Sequence, residues 1–121
     1  MNADLSKLEG PDLHLMVARA EGRKIEIVPN LYGNRYMVEN EGKDWMYELE
    51  YYTPSTNWGQ GGPLLDMLVR SYGFMIGKGL NQCYVASPNG DIVGLGETTL
   101  LAGMRAFVMW RASAQLIAQN I

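Results

Sequence analysis

A polar, glycine-rich stretch, Tyr52–Pro63, contains the residue types best suited to holding a small molecule. The rings of Tyr52 and Trp58 can stack on a planar group. Gly59, Gly61 and Gly62 can let backbone N–H groups converge on an anion near a helix start. Side chains that can hydrogen-bond hydroxyls or phosphate oxygens lie in the same stretch: Ser55, Thr56, Asn57 and Gln60. We therefore predict that this stretch, called the polar loop below, binds a small anionic ligand.

A second group of candidate ligand-binding residues lies around the start of the last predicted helix. Thr98 or Thr99 suits the N-cap of that helix. Arg105 follows one turn later, off the predicted core face, where it can pair with a phosphate. The structural alternative is that the polar loop is a helix cap and turn, with Trp58 in the core and Arg105 a surface cation.

Residues for other chemistry are few. His14 is the one histidine and lies beside the buried face of a predicted helix, which favours a structural role. Cys83, the one cysteine, falls in a predicted strand and is interpreted as core. One histidine and one cysteine give no metal cluster and no thiolate–imidazole spacing, so we predict no catalytic residues, no metal and no cofactor. Gly73–Gly79 is too short for a phosphate-binding P-loop and lacks its Ser or Thr after lysine.

Hydrophobic periodicity predicts the elements that position these residues. Pro11 and Gly22 bound a predicted helix at 11–21. Further helices are predicted at 63–71, ending at Gly73, and at 99–119. Strands are predicted at 24–28, 35–39 and 45–51, and at 83–87 and 91–95 around a Pro88–Gly90 turn. We expect one domain over residues 1–121 with an α+β fold: a small, mostly antiparallel sheet packed with an N-terminal, a middle and a long C-terminal helix.

Composition excludes several classes of function. The chain has 121 residues and a formal net charge of −3, without the basic stripe that duplex nucleic-acid binders show. No apolar run approaches the length of a membrane span. The single cysteine allows no intramolecular disulfide, which fits a reducing compartment. We expect a cytoplasmic protein without duplex nucleic-acid or membrane partners.

Three blocks of sequence resemble the phage NinX-like family, small proteins of unassigned function from tailed phages and prophages. They are Leu8–Gly22, the polar loop with its Asn57-Trp58 and Gln60-Gly61-Gly62-Pro63 motifs, and Gly96–Val108 with its Ala-Gly-Met-Arg helix. Thr99 stands where the family commonly has proline, and residues 64–80 look different and longer. The resemblance implies a phage protein acting in the bacterial host cytoplasm, without supplying a reaction.

These observations together predict a non-enzymatic binder that sequesters a small, anionic, nucleotide-like host immune signal. A well-enclosed site is often completed by an oligomer interface, so we expect a homo-oligomer, consistent with apolar Met109, Trp110 and Ile117 on the last helix. Two alternatives stay open. One is direct inhibition of a host protein through the acidic run Glu39–Glu50. The other is an enzyme acting on the same ligand class, with Asp66 or Glu97 as the base. A structural accessory without a pocket is a further possibility.

Overall fold

The computed structural model describes residues 4–30, 33–40, 44–48 and 52–119, with side chains described in 4–25 and 52–114. These residues form three helices and two separate three-stranded antiparallel sheets, which confirms the α+β class. The elements are α1 (Gly10–Glu21), β1 (Ile25–Asn30), β2 (Gly33–Asn40), β3 (Asp44–Glu48), α2 (Trp58–Tyr72), β4 (Met75–Lys78), β5 (Cys83–Ala86), β6 (Val93–Gly96) and α3 (Thr99–Gln119).

The first helix, α1, follows its sequence pattern closely. Pro11 lies in its first turn and Gly22 ends it, as predicted. Leu13 and Val17 are fully buried, while Met16 and Ala20 pack at the edge of the same core. The periodicity of apolar residues therefore identified the buried face.

The first sheet is a meander in the order β1-β2-β3. The strand predicted at 24–28 runs two residues further, to Asn30, with Pro29 in register with Asn34. Proline is tolerated there because β1 is an edge strand, where one side needs no donor. The strands predicted at 35–39 and 45–51 correspond to β2 and β3, although 49–51 lie outside the described residues.

The middle helix, α2, begins earlier than predicted. Trp58–Pro63 were assigned to the loop, yet they form the first turns of α2. Proline is typical of a helix's first turn, so Pro63 suggested a start there. The start is set instead by Asn57, whose side-chain oxygen accepts a hydrogen bond from the Gly59 amide at 2.9 Å. Gly73 ends α2 as predicted.

The second sheet contains the predicted hairpin and one strand that the sequence did not predict. The hairpin strands β5 and β6 are joined through Pro88–Asp91, and β4 pairs with β5. Glycines at 73, 77 and 79 weakened the strand pattern of β4. In the structure the Tyr84 ring lies directly over Gly77, where any added Cβ would overlap it.

The last helix, α3, is central and packs against α1, α2, β5 and β6. Several sides of this helix are buried. Its buried residues are Leu100, Ala102, Met104, Ala106, Phe107 and Val108. The periodicity of the helix predicted at 99–119 puts Leu101, Met104, Val108 and Ala112 on one face. Met104 and Val108 are buried, and Leu101 packs at the edge of the same core. Gly94 of β6 lies so close to α3 that a Cβ there would overlap the carbonyl oxygen of Ala102. Within the ranges that the structure describes, no helix is long and apolar enough to cross a membrane.

Candidate functional site

Tyr52, at the start of the polar loop, points inward. Its ring is 1% exposed, and its hydroxyl donates a hydrogen bond to Glu21 Oε2 at 2.6 Å. The Arg23 guanidinium bonds the same carboxylate at 2.7 Å and lies over the Tyr52 ring. Burial, together with the Glu21 carboxylate, raises the pKa of Tyr52. The residue thus ties the loop to the end of α1.

Ser55 forms a second tie to α1. Its hydroxyl lies 2.7 Å from His14 Nε2, and both side chains are 6% exposed. Burial lowers the pKa of His14, because the charged imidazolium would lose its hydration. His14 is therefore the hydrogen-bonded structural histidine that the sequence predicted.

The rest of the loop folds back on itself. Gln60 Oε1 accepts a hydrogen bond from the Thr53 amide at 2.7 Å. The amides of Gln60 and Gly61 donate to the Asn57 carbonyl at 3.1 and 2.9 Å. Gly61 is buried against Pro54, whose carbonyl oxygen occupies the position of any added Cβ. Gly61, which the sequence suggested for anion binding, is thus required by close packing of the backbone.

The solvent-facing part of the polar loop is small. Thr56, Asn57 and Gly59 are exposed, and the Trp58 ring is 60% exposed, so Trp58 does not lie in the core. Gly62 is half-buried beneath that ring, and a Cβ built on Gly62 would lie 3.5 Å from the Trp58 Cε3 atom. Within the polar loop, a ligand can reach this exposed turn.

Thr98, Thr99 and Arg105 lie at the start of α3. Thr98 is the N-cap: its Oγ1 accepts from the Leu101 amide at 3.1 Å, while Thr99 is the first helical residue. Leu100 reaches Gly61, so the helix start lies beside the loop. Arg105 does not extend into solvent as a free cation. Its guanidinium donates to the carbonyl oxygens of Leu8 at 2.8 Å and Leu95 at 2.7 Å, joining two distant segments to α3.

A larger open surface lies away from the loop, where α2, the β5–β6 turn and α3 meet. It is a hollow of about 600 Å³. The rings of Tyr72 and Trp110 form one wall, with centroids 4.6 Å apart and planes tilted by 50°. The other lining residues are Phe74, Ser87, Pro88, Asn89, Asp91, Ile92, Met109 and Ser113.

A smaller hollow of about 220 Å³ adjoins it, because Tyr72 and Trp110 line both. Arg111 lies in this second hollow. Its Nε donates to the Ala20 carbonyl at 3.1 Å, and its guanidinium lies over the Trp110 ring at 5.6 Å. Its terminal Nη groups have no hydrogen-bond partner among the described residues. We call the two hollows together the aromatic groove.

The polar end of the aromatic groove is the Ser87–Asp91 turn. Ser87 Oγ donates to Asn89 Oδ1 at 2.9 Å and accepts from the Ile92 amide at 3.0 Å. Asn89 Nδ2 in turn donates to Asp91 Oδ2 at 3.0 Å. These bonds fix the turn and leave one exposed carboxylate, Asp91, beside the aromatic wall.

Sequence reasoning did not find this groove, because its residues come from three separated segments. Two signals were present: Trp110 and Met109 were noted as apolar residues off the main core face, and Pro88–Gly90 as a turn. Both side chains are half-buried and line the groove. The side chain of Ile117, the third residue suggested for an interface, lies outside the described residues.

The residues considered for catalysis or for metal binding are dispersed. His14 bonds Ser55, while Cys83 Sγ contacts the Glu97 carbonyl at 3.8 Å. Asp66 pairs with Arg70 at 2.8 Å on the surface of α2. In the described part of the chain, no three His, Cys, Asp or Glu side chains are grouped to hold a metal ion. The side chains of the acidic run at 39–50 lie outside the described residues.

Comparison with protein families matches residues 4–111 to the family model described as Bacteriophage P22, NinX. The match covers all three helices up to Arg111 and both sheets. Comparison with curated proteins gives no match.

Proposed function

The chain belongs to the bacteriophage P22 NinX family, and we propose that it binds a small, nucleotide-like molecule in the aromatic groove without changing it chemically. By this proposal the protein acts in the bacterial cytoplasm as a sponge that removes a host immune signal. The observation that carries the proposal is the Tyr72–Trp110 wall shared by the two hollows of the groove.

The aromatic wall suits the base of a nucleotide. Tyr72 is 48% exposed although it packs against Trp110, so a face of this pair is accessible to a planar ring. Stacking of a base on an aromatic side chain contributes about 1–3 kcal/mol and does not depend strongly on the base. Small-molecule sites commonly combine such apolar walls with a few placed polar groups.

Polar groups lie on both sides of that wall. The Asp91 carboxylate can accept hydrogen bonds from ribose hydroxyls or from an exocyclic amine. Arg111, on the other side of Trp110, carries the positive charge and free N–H groups that a phosphate requires. A nucleotide lying across the wall would place its nucleoside near Asp91 and its phosphate near Arg111.

Binding without turnover is favoured by the distribution of acid–base groups. One carboxylate lines each hollow of the groove, Asp91 the larger and Glu21 the smaller, whereas hydrolysis by paired carboxylates needs two groups that face one substrate. Glu21 is already bonded to Arg23 and Tyr52. The His14–Ser55 pair has a nucleophile and a base within 2.7 Å, but both are buried within the joint between the polar loop and α1. The exposed turn at Thr56–Gly59 is the alternative ligand site, and the experiment is designed to separate the two.

The test is thermal unfolding of the purified protein with a panel of linear and cyclic nucleotides, including ADP-ribose-derived signals. A ligand that binds only the native state raises its free energy of unfolding by about 2.7 kcal/mol at a hundredfold excess over Kd. Each nucleotide is recovered after denaturation and its amount measured. We expect a rise in Tm with at least one nucleotide, and recovery of that nucleotide intact.

Two tryptophan variants form a matched pair. Trp110→Ala should abolish the ligand-dependent rise in Tm, while Trp58→Ala should keep it. Asp91→Asn, a surface change that leaves the fold intact, should weaken binding, and Asp66→Asn should not. The reverse result for the tryptophans would assign the ligand to the polar loop. Consumption of the nucleotide would make the protein an enzyme, and the absence of any shift would favour direct inhibition of a host protein.

A further inference from the structure

A third hollow adjoins the aromatic groove at the end where Arg111 lies. It has a volume of about 160 Å³ and shares Ala20 and Arg111 with the smaller hollow of the groove. Its lining comes from α1 and α3 and consists of Met16, Arg19, Ala20, Val108, Arg111 and Ala112. The three hollows therefore form one series, which begins at Asp91, passes the aromatic wall and ends at Arg19.

Helical spacing brings two arginines to this third hollow. Arg19 lies three residues after Met16 on α1, and Arg111 lies three residues after Val108 on α3. Residues three apart share a helix face, so each guanidinium is carried on the side that lines the hollow. The volume equals that of about five water molecules at about 30 Å³ each, which is enough for one phosphate group.

The positive charge in this hollow has no counterpart in the described part of the chain. Arg19 is exposed and forms no ion pair or hydrogen bond with another described side chain. The Arg111 side chain bonds the Ala20 carbonyl through Nε and leaves its Nη groups open. The lining includes no acidic residue. Two like charges at one small space repel each other, and an anion between them would reverse that effect.

The hydrogen-bond acceptors around this hollow are already engaged. At the end of α1, the Arg19 carbonyl accepts from the Gly22 amide at 3.1 Å, and the Ala20 carbonyl accepts from Arg111. In the adjoining hollow, the Glu21 carboxylate accepts from two other side chains. An anion would therefore meet the open guanidinium donors, which match the geometry of phosphate oxygens.

The order of chemical groups along the series follows the order of groups in a nucleotide. Asp91 lies at one end, the aromatic wall in the middle and the two arginines at the other end. Building on the proposed function, we infer that Arg19 and Arg111 form a subsite for a second phosphate. The ligand class is then a nucleotide that carries a diphosphate group. Its base stacks on the aromatic wall, its first phosphate lies at Arg111, and its second lies between Arg111 and Arg19.

The test is calorimetric titration of the full chain with AMP, ADP, GMP and GDP, at constant ionic strength and without divalent cations. Each diphosphate should bind at least about tenfold more tightly than its monophosphate, since one further charge-assisted hydrogen bond has that effect. Arg19→Gln should weaken ADP binding at least about tenfold and AMP binding less than about threefold. It should keep the wild-type Tm, because Arg19 is exposed.

Arg70→Gln is the matched control. Arg70 is an exposed arginine of α2 that pairs with Asp66 and lines none of the three hollows. Its replacement should leave the ratio of ADP to AMP affinity unchanged. A ratio that falls as far as in Arg19→Gln would show a general effect of net charge and would overturn the subsite.

Inorganic pyrophosphate separates this inference from the proposed function, because it carries the diphosphate without the nucleoside. It should raise the Tm of the wild type and have no effect on Arg19→Gln. Nucleotide binding in which ADP is no tighter than AMP, or in which Arg19→Gln weakens both equally, would overturn the subsite and leave the proposed function standing. A Tm rise with pyrophosphate but no nucleotide binding would overturn the proposed function and the ligand class together. Binding of none of these probes would overturn both proposals.

Discussion

The polar loop and the aromatic groove use their polar residues in opposite ways. In the loop, Tyr52, Ser55 and Gln60 bond to other parts of the chain, and Gly61 accommodates the Pro54 backbone. In the groove, Asp91 is exposed although it accepts one hydrogen bond from Asn89, and the Arg111 Nη groups have no partner among the described residues. A segment whose composition suits a ligand can therefore serve internal packing instead, because a buried polar group must find a hydrogen-bond partner.

The difference has a physical origin in chain connectivity. The loop leads into α2 and lies against α1, where Tyr52 bonds Glu21 and Ser55 bonds His14. Its polar groups therefore satisfy one another and groups of the neighbouring helices. The groove lies where three elements meet without filling the space between them. The groups that line the groove are those that remain exposed after the three elements have packed against one another.

The largest effect expected in this comparison comes from Gly61→Ala. A Cβ at this position would overlap the Pro54 carbonyl, which is rigid backbone, so we expect a loss of at least about 3 kcal/mol in the free energy of unfolding. Gly62→Ala is the matched control, since its Cβ meets only Trp58 at 3.5 Å. Alanine has a higher helix propensity than glycine, so Gly62→Ala should raise the free energy of unfolding by up to about 1 kcal/mol. Urea unfolding measures both, and equal effects would contradict the close packing of Gly61.

Ser55→Ala should have the next largest effect. It leaves His14 buried without its hydrogen-bond partner, which costs about 1–3 kcal/mol. Thr56→Ala, one residue along and exposed, should change stability by less than about 0.5 kcal/mol. Similar midpoints of denaturant unfolding for the two variants would show that the loop is not anchored through Ser55.

A smaller effect is expected from pH through His14. Burial lowers its folded-state pKa below the unfolded value of about 6.5, so the unfolded chain binds the proton more readily. Stability should therefore be complete above about pH 6.5 and fall as the pH drops from there through the lowered folded pKa, by at most about 1.4 kcal/mol per pH unit. Urea unfolding at several pH values measures this, with His14→Gln as the control that removes the titration. Parallel pH profiles for the two proteins would contradict it.

The smallest effect on stability should come from Trp58→Ala. A tryptophan in the core costs about 3–5 kcal/mol on truncation to alanine. Because Trp58 is 60% exposed, its truncation to alanine should lower the free energy of unfolding by no more than about 0.5 kcal/mol. A loss of several kcal/mol in thermal or urea unfolding would place the ring in the core and make the polar loop wholly structural.

Much of the fold followed from local patterns. α1, α3 and the β5–β6 hairpin were predicted because apolar periodicity, Gly22 and the Pro88–Gly90 turn all act over a few residues. β4 was missed because Gly77 interrupts its pattern and Gly73 and Gly79 lie close to its ends, while the Tyr84 ring that covers Gly77 comes from a different strand. The start of α2 was misplaced because Pro63 has an ordinary first-turn preference, while the Asn57 cap depends on the loop's own conformation.

The α+β class, the family resemblance and the structural role of His14 followed from the amino-acid sequence. These depend on periodicity, motif order and the rarity of residue types. Three facts came only from the folded chain: Arg105 bonds two backbone carbonyls, Trp58 faces solvent, and Tyr72 contacts Trp110. Each of those facts depends on contacts between distant segments, and which groups remain open is decided only when those segments pack together.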